Sequence, residues 1–181
     1  MERLVTITYL EMTSREQVVP FKGERRLDVR RAAIPSPELN RFLYATVGSE
    51  WSWHERLAWD RERWMVWLDR PEVETWIGYL DGTPAGHFEV EAQNGGAVEI
   101  VYFGLLPGFI GRGLGPELLD TAVERAWQLA STRIWVHTCT LDHPRALTNY
   151  QARGFLVYDA VEKLERLSEV PPTLWPTATR R

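Results

Sequence analysis

The sequence predicts an α+β fold, with a central mixed, mostly antiparallel sheet flanked by helices. Three observations carry this. Residues 4–12 alternate as a strand does, with Val5, Ile7 and Tyr9 on one face. Residues 75–106 read as three strands joined by tight turns, a meander. After Leu106 the apolar period lengthens to that of a helix, and strand, helix and strand then follow.

Each element has its own signal. Residues 13–26 are polar, carry Pro20 and Gly23, and read as a connector; residues 27–34 give a second strand. Pro35 and Pro37 break the chain, and Ser36 is placed to cap a helix over residues 38–47, where Leu39, Phe42, Leu43 and Ala45 share a face. A second helix is expected over residues 54–68. Residues 75–80 and 85–91 flank Asp81-Gly82, a hairpin signal, and Asn94-Gly95-Gly96 makes the next turn before the apolar strand 98–106. Leu118, Leu119, Ala122, Val123, Ala126 and Leu129 recur at helical spacing, and Pro116 suits a first turn because its missing N–H has no intrahelical partner there. Residues 133–139 form a strand. Asp142 and Pro144 mark a helix start and Gly154 its end. Residues 155–158 and 161–167 are expected to make a final strand pair. The whole reads as one domain over residues 1–170, with an additional N-terminal strand, and a Pro- and Thr-rich tail over residues 171–181.

Composition narrows the function classes. Hydrophobic residues make up 44% and charged residues 25%, an ordinary globular balance. A net charge of -4 argues against a partner held through phosphate contacts, so no nucleic acid is expected. Cys139 is the only cysteine, which excludes an intrachain disulfide and a thiolate zinc cluster. No apolar run reaches membrane-spanning length and no signal peptide is legible, so a cytoplasmic protein without membrane contact is expected. Nine tryptophans are unusual, and Trp51, Trp53, Trp59, Trp64, Trp67 and Trp76 fall in one stretch. They suit a core, a dimer face or the wall of an acceptor pocket.

The chemistry concentrates in residues 99–115. A strand ends, Gly111, Gly113 and Gly115 follow, and a helix begins. Alternate glycines let backbone amides turn toward one point, and a helix N-terminus adds free N–H groups and a positive dipole end. Together they suit a pyrophosphate. The loop has no lysine, so it is not a P-loop, and its G-x-G-x-G spacing, late in the chain, departs from a dinucleotide fingerprint. An ordinary glycine-rich strand-to-helix turn is the alternative.

The window Ile110-Gly111-Arg112-Gly113-Leu114-Gly115 resembles the acetyl-CoA-binding motif of GNAT acetyltransferases, Q/R-x-x-G-x-G/A, with Ile110 where the family more often has Gln or Arg. Downstream, His143, Ala146, Tyr150, Gly154 and Phe155 fall in the register of the family's N-x-x-A-x-x-x-Y-x-x-x-G-F run, with His143 in place of Asn. One helix and one strand separate the two motifs, as in the family. The resemblance implies acetyl-CoA as cosubstrate, held by Phe103, Gly104 and Leu105 on the strand, by residues Ile110 to Gly115 in the loop, and by Asn149 on the following helix. Arg112 is placed to compensate for Ile110.

Acetyl transfer to an amine needs three groups. A base must deprotonate an ammonium whose pKa is about 10.4 if lysine-like. An N–H donor must hold the oxyanion, and an acid should meet the departing thiolate. Glu99, on an apolar strand and at a position where some members of the family carry a base, is the leading base, with an outward-facing edge residue as the alternative. Glu89, Glu91 and His137 are reserves. Tyr150 is the leading acid, with a packing tyrosine as the alternative; the small Ala146 and Gly154 beside it leave room for the pantetheine arm. A backbone N–H between Phe103 and Leu105 is the expected oxyanion donor. His137, Cys139, Asp142 and His143 are metal-ligand types, but their spacing fits no zinc rule and no metal is expected. The reading is an N-acetyltransferase acting on a small-molecule or peptide primary amine by direct attack in a ternary complex. The alternative is an acyl-CoA-binding sensor with little or no turnover. A homodimer is a reasonable further expectation.

Overall fold

A computed structural model describes residues 2–51 and 53–166. Seven strands and four helices follow in the order β1 (Glu2–Met12), β2 (Asp28–Arg31), α1 (Pro37–Val47), α2 (Arg61–Leu68), β3 (Val73–Leu80), β4 (Thr83–Ala92), β5 (Ala97–Leu105), α3 (Gly115–Leu129), β6 (Arg133–Cys139), α4 (Ala146–Ala152) and β7 (Leu156–Arg166). The strands make one sheet in the order β2-β3-β4-β5-β6-β1-β7. The β5–β6 pair is parallel and its neighbours are antiparallel. The expected α+β fold with a mixed, mostly antiparallel sheet is the observed one.

Alternation along the strands assigns the two layers. Phe88 and Val90 of β4, with Val98 and Ile100 of β5, pack under Leu118, Leu119, Ala122, Val123 and Ala126 of α3. Between them Glu89 points to the other face, where its carboxylate accepts from Arg56 and Trp67. That second face carries a smaller cluster of Tyr44, Trp64 and Leu68 from α1 and α2. The connector 13–26 is pinned to α3 by two buried carboxylates. Glu117 accepts from the backbone of Arg26 and Leu27, both at 2.7 Å, and Asp120 accepts from Phe21 N–H at 2.7 Å. The Ser36 cap forms as expected, its hydroxyl accepting from Leu39 N–H, and Asp81-Gly82 turns with both residues at positive φ, a primed hairpin turn.

Three elements differ from expectation. The helix expected over residues 54–68 is broken: a 3₁₀ turn at Glu55–Ala58 ends on extended Trp59, and α2 starts after Asp60, whose carboxylate caps Arg63 N–H at 2.8 Å. The break buries Arg56 among Trp59, Trp64, Trp67 and Tyr102, with its guanidinium 4.1 Å from the Trp67 ring centre. Asp142 does not start α4; it accepts from Thr138 hydroxyl and Cys139 N–H, both at 2.8 Å, and holds the turn leaving β6. The expected final pair over residues 155–158 and 161–167 is one strand, because β1 is long enough to pair with all of it; a bulge at Tyr158 accounts for the apparent interruption. Leu167 and the tail 171–181 lie outside the described residues.

Gly154 has a packing role. Its φ is +104°, and a Cβ there would lie 1.9 Å from the Gln17 carbonyl oxygen, where the connector crosses the end of α4. Gly154→Ala is therefore expected to destabilise the fold by about 3 kcal/mol or more, from overpacking plus left-handed strain. A urea unfolding midpoint unchanged from the parent would refute this.

Candidate active site

The cleft arises from a pairing that stops. β5 and β6 are bonded only at Ala97–Arg133, Val98–Ile134 and Glu99–Trp135. Beyond Glu99 the strands part, and a cavity of about 790 Å³ opens, walled by residues 100–105 on one side and by Val136, His137 and Cys139 on the other. A bulge at Val101 re-aims β5 here. Of the expected cofactor residues, Phe103, Gly104, Leu105, Ile110, Gly111, Gly113, Gly115 and Asn149 line this one cavity. Gly104 admits α1 against the strand: a Cβ there would lie 2.4 Å from Val47 Cγ1.

Gly111 and Gly113 have φ of +83° and +76°, so the loop adopts a backbone that disfavours side chains. Gly115 then opens α3, whose N-terminus has no side-chain cap. Its first N–H groups remain donors at the positive end of a fifteen-residue helix. Arg112 and Leu114 sit differently. The Arg112 guanidinium lies 5.1 Å from the Phe109 ring centre and its carbonyl accepts from Arg26, whereas the Leu114 side chain is fully buried. Neither is among the residues lining the cavity.

Tyr150 is buried, lines the cavity and packs edge-on against Phe103 and Phe155. Burial, then the charge of Asp142, pushes its phenol well above the ordinary value. Ala146 also lines the cavity; Gly154 does not, its small size being required by Gln17.

Glu99 is buried and does not line the cavity. It reaches it through His137. Trp135 Nε1–H donates to Gln93 Oε1 at 2.9 Å, Gln93 Nε2–H donates to Glu99 Oε2 at 3.0 Å, and Glu99 Oε1 lies 3.3 Å from His137 Nδ1. That last contact holds the proton on Nδ1 and leaves Nε2 as the basic nitrogen. The hydrogen bond to Glu99 raises the His137 pKa above its ordinary value, and the charges of Asp142 and Glu55 add to this. The reserve carboxylates are engaged elsewhere, Glu89 with buried Arg56 at 2.8 Å and Glu91 with Arg70. Residue type did not single out Gln93 or Trp135. The i, i+2 spacing of Trp135 and His137, which puts both on one face of a strand, was the available signal.

Part of the cavity wall is aromatic. Tyr44, Trp53 and Tyr102 pack with ring centres 4.9–5.4 Å apart. Trp51 stands edge-on to His143 at 5.0 Å, and Glu55 joins the lining. The tryptophan stretch therefore divides: Trp51 and Trp53 wall the cavity, Trp59, Trp64 and Trp67 enclose Arg56, and Trp76 stacks on Phe88. Among the described residues no three His, Cys, Asp or Glu side chains converge as a metal site would require, and no helix is long and apolar enough to cross a membrane.

The cleft between the parting strands has the uncapped N-terminus of α3 in its lining, which suits a ligand with an anionic group. Residues 38–155 match the acetyltransferase (GNAT) family, and the chain belongs to that family. Among solved structures it is similar to a GCN5-related N-acetyltransferase from Kribbella flavida (18% identity, TM-score 0.63, covering 90% of this chain and 59% of that one). It is also similar to one from Sphaerobacter thermophilus (15%, 0.66, 97% and 56%). A third is an aminoglycoside acetyltransferase from an uncultured soil metagenomic sample, in complex with sisomicin (14%, 0.55, 71% and 86%). At these identities the likeness is one of fold. The chain spans about three fifths of the Kribbella flavida protein's length. No curated protein matches the sequence.

Proposed function

We propose that the protein is an acetyl-CoA-dependent N-acetyltransferase acting on a primary amine by direct attack in a ternary complex. The observation that carries this reading is the convergence, on one cleft, of the glycine loop, the Tyr150 hydroxyl-bearing side chain and the Glu99-supported His137. The residues fit the cosubstrate: Gly111 has open space where a Cβ would sit, and the α3 N-terminus offers uncapped amides. Acetyl-CoA supplies an activated acyl carbon. The amine nitrogen bonds to that carbon, the carbon–sulfur bond breaks, and a proton leaves the nitrogen while one reaches the sulfur.

This chain's residues manage those protons. His137, neutral at Nε2, takes the proton from the attacking ammonium or from a bridging water, and Glu99 stabilises the imidazolium that results. Glu99 thus keeps a part in base catalysis as the positioning carboxylate. Tyr150, whose raised pKa keeps it protonated, donates to the thiolate. The backbone of Phe103 to Leu105, freed from pairing with β6, offers the oxyanion donor. The aromatic wall formed by Tyr44, Trp53 and Tyr102 is suited to receive the acceptor's body.

The test is thiol release. A panel of alkyl, aryl and peptide amines is offered with acetyl-CoA, and free thiol is measured. Amine-stimulated release is expected; tight binding with no release for any amine would make the chain a sensor. Tyr150→Phe is expected to lower kcat about a hundredfold, the low end of acid–base effects, with acetyl-CoA affinity unchanged. An unchanged kcat at saturating acceptor would leave Tyr150 as packing alone.

A further inference from the structure

We propose that β7 is the interface of a homodimer, pairing antiparallel with β7 of a second copy on a twofold axis through Val161. The strand ends the sheet order, so its outer edge has no partner strand among the described residues. The two edges of the sheet contrast. β2 has four residues, Asp28–Arg31, three of them charged, which is how natural sheets blunt an edge. β7 has eleven residues, and Leu156, Val157, Tyr158, Val161 and Leu164 are exposed on it, Leu164 by 70%. Leu4, the partner of Leu164 on β1, is exposed by 57%. A long, apolar, exposed edge is a template for another strand.

The sequence of β7 indicates which strand. When two identical antiparallel strands join one sheet about a twofold axis, opposite residues share a face, so the axis passes through a residue. Val161 is the midpoint of Leu156–Arg166, and an axis there pairs Asp159–Lys163, the regular stretch on the C-terminal side of the bulge at Tyr158, with its own copy. That register sets Asp159 opposite Lys163 of the second copy, twice. Moving the axis one residue, to Glu162, sets two Glu162 side chains opposite each other and Asp159 against Glu165. Opposite charges across strands stabilise a pair and like charges destabilise it, so the centred register is favoured. Lys163 and Glu165 also line the cavity, so Asp159 of a second copy would sit beside the cleft and take up the Lys163 charge.

Sedimentation equilibrium of the chain is expected to show a concentration-dependent dimer. Asp159→Lys should weaken it about tenfold by facing Lys163 with like charge. Adding Lys163→Asp should restore it, because the pair is then reversed. Val161→Cys places two thiols across the axis and should give a disulfide-linked dimer on mild oxidation, whereas Val66→Cys, more exposed but on α2, should not. A monomer at all concentrations overturns the proposal. So does a dimer that Asp159→Lys leaves unchanged and Val161→Cys does not cross-link, since it would use another surface.

Discussion

Gly113→Asp is expected to weaken acetyl-CoA binding at least a hundredfold, roughly 2.7 kcal/mol or more, while the protein stays folded. Gly113 has φ +76°, a backbone that Asp tolerates better than most residues but still at a cost. The larger effect is electrostatic: a carboxylate enters a loop whose amides and helix terminus are arranged for an anion. Gly113 is exposed, and the nearest atom to a new Cβ is Arg26 Nη2 at 3.5 Å, so nothing in the core is disturbed. Gly113→Asn carries the same bulk and a similar backbone preference without the charge, and should lose far less. Calorimetry with both variants separates strain from charge. Equal affinities for the parent and Gly113→Asp would remove this loop from the site.

His137→Gln is expected to lower the rate at neutral pH by about 10²–10⁴-fold, the usual range for a general base, and to abolish the acidic limb of the pH–rate profile. Glu99→Gln should act differently. Glu99 is the first cause of the raised His137 pKa, so removing its charge lets that pKa fall. A base works when neutral, so the acidic limb of Glu99→Gln should survive and move to lower pH, with a smaller loss on the plateau. The opposite pattern, a limb lost in Glu99→Gln and kept in His137→Gln, would make the buried carboxylate itself the base, acting through water. The two profiles, measured on kcat with saturating acceptor, decide between these roles.

Most of the fold was legible because its signals are local. Residues 97–105 and 115–129 announce themselves by period, Asp81-Gly82 by turn chemistry, and Ser36 by its cap. The glycine loop was legible for the same reason: Gly111, Gly113 and Gly115 are neighbours in sequence, and a backbone that turns through positive φ at Gly111 and Gly113 leaves glycine as its mark. The break at Trp59-Asp60 was not, because a 3₁₀ turn has nearly the helical period and only the burial of Arg56 against Glu89 reveals why the chain departs.

What the sequence determined by itself, then, is the order of elements, the glycine loop and the short list of side chains from which a base must come. Tertiary structure decided how that list is used. Glu89, Glu91 and Glu99 have the same chemistry and lie on one face of adjacent strands, and no local pattern ranks them. Arg56 and Arg70 engage two of them, while the parting of β5 from β6 just beyond Glu99 sets the third behind His137 at the mouth of the cleft. These partners come from the segment between α1 and α2, the turn between α2 and β3, and β6, well apart in the chain. A carboxylate's role depends on the charge facing it within a few ångströms, and that distance is fixed only when the sheet closes.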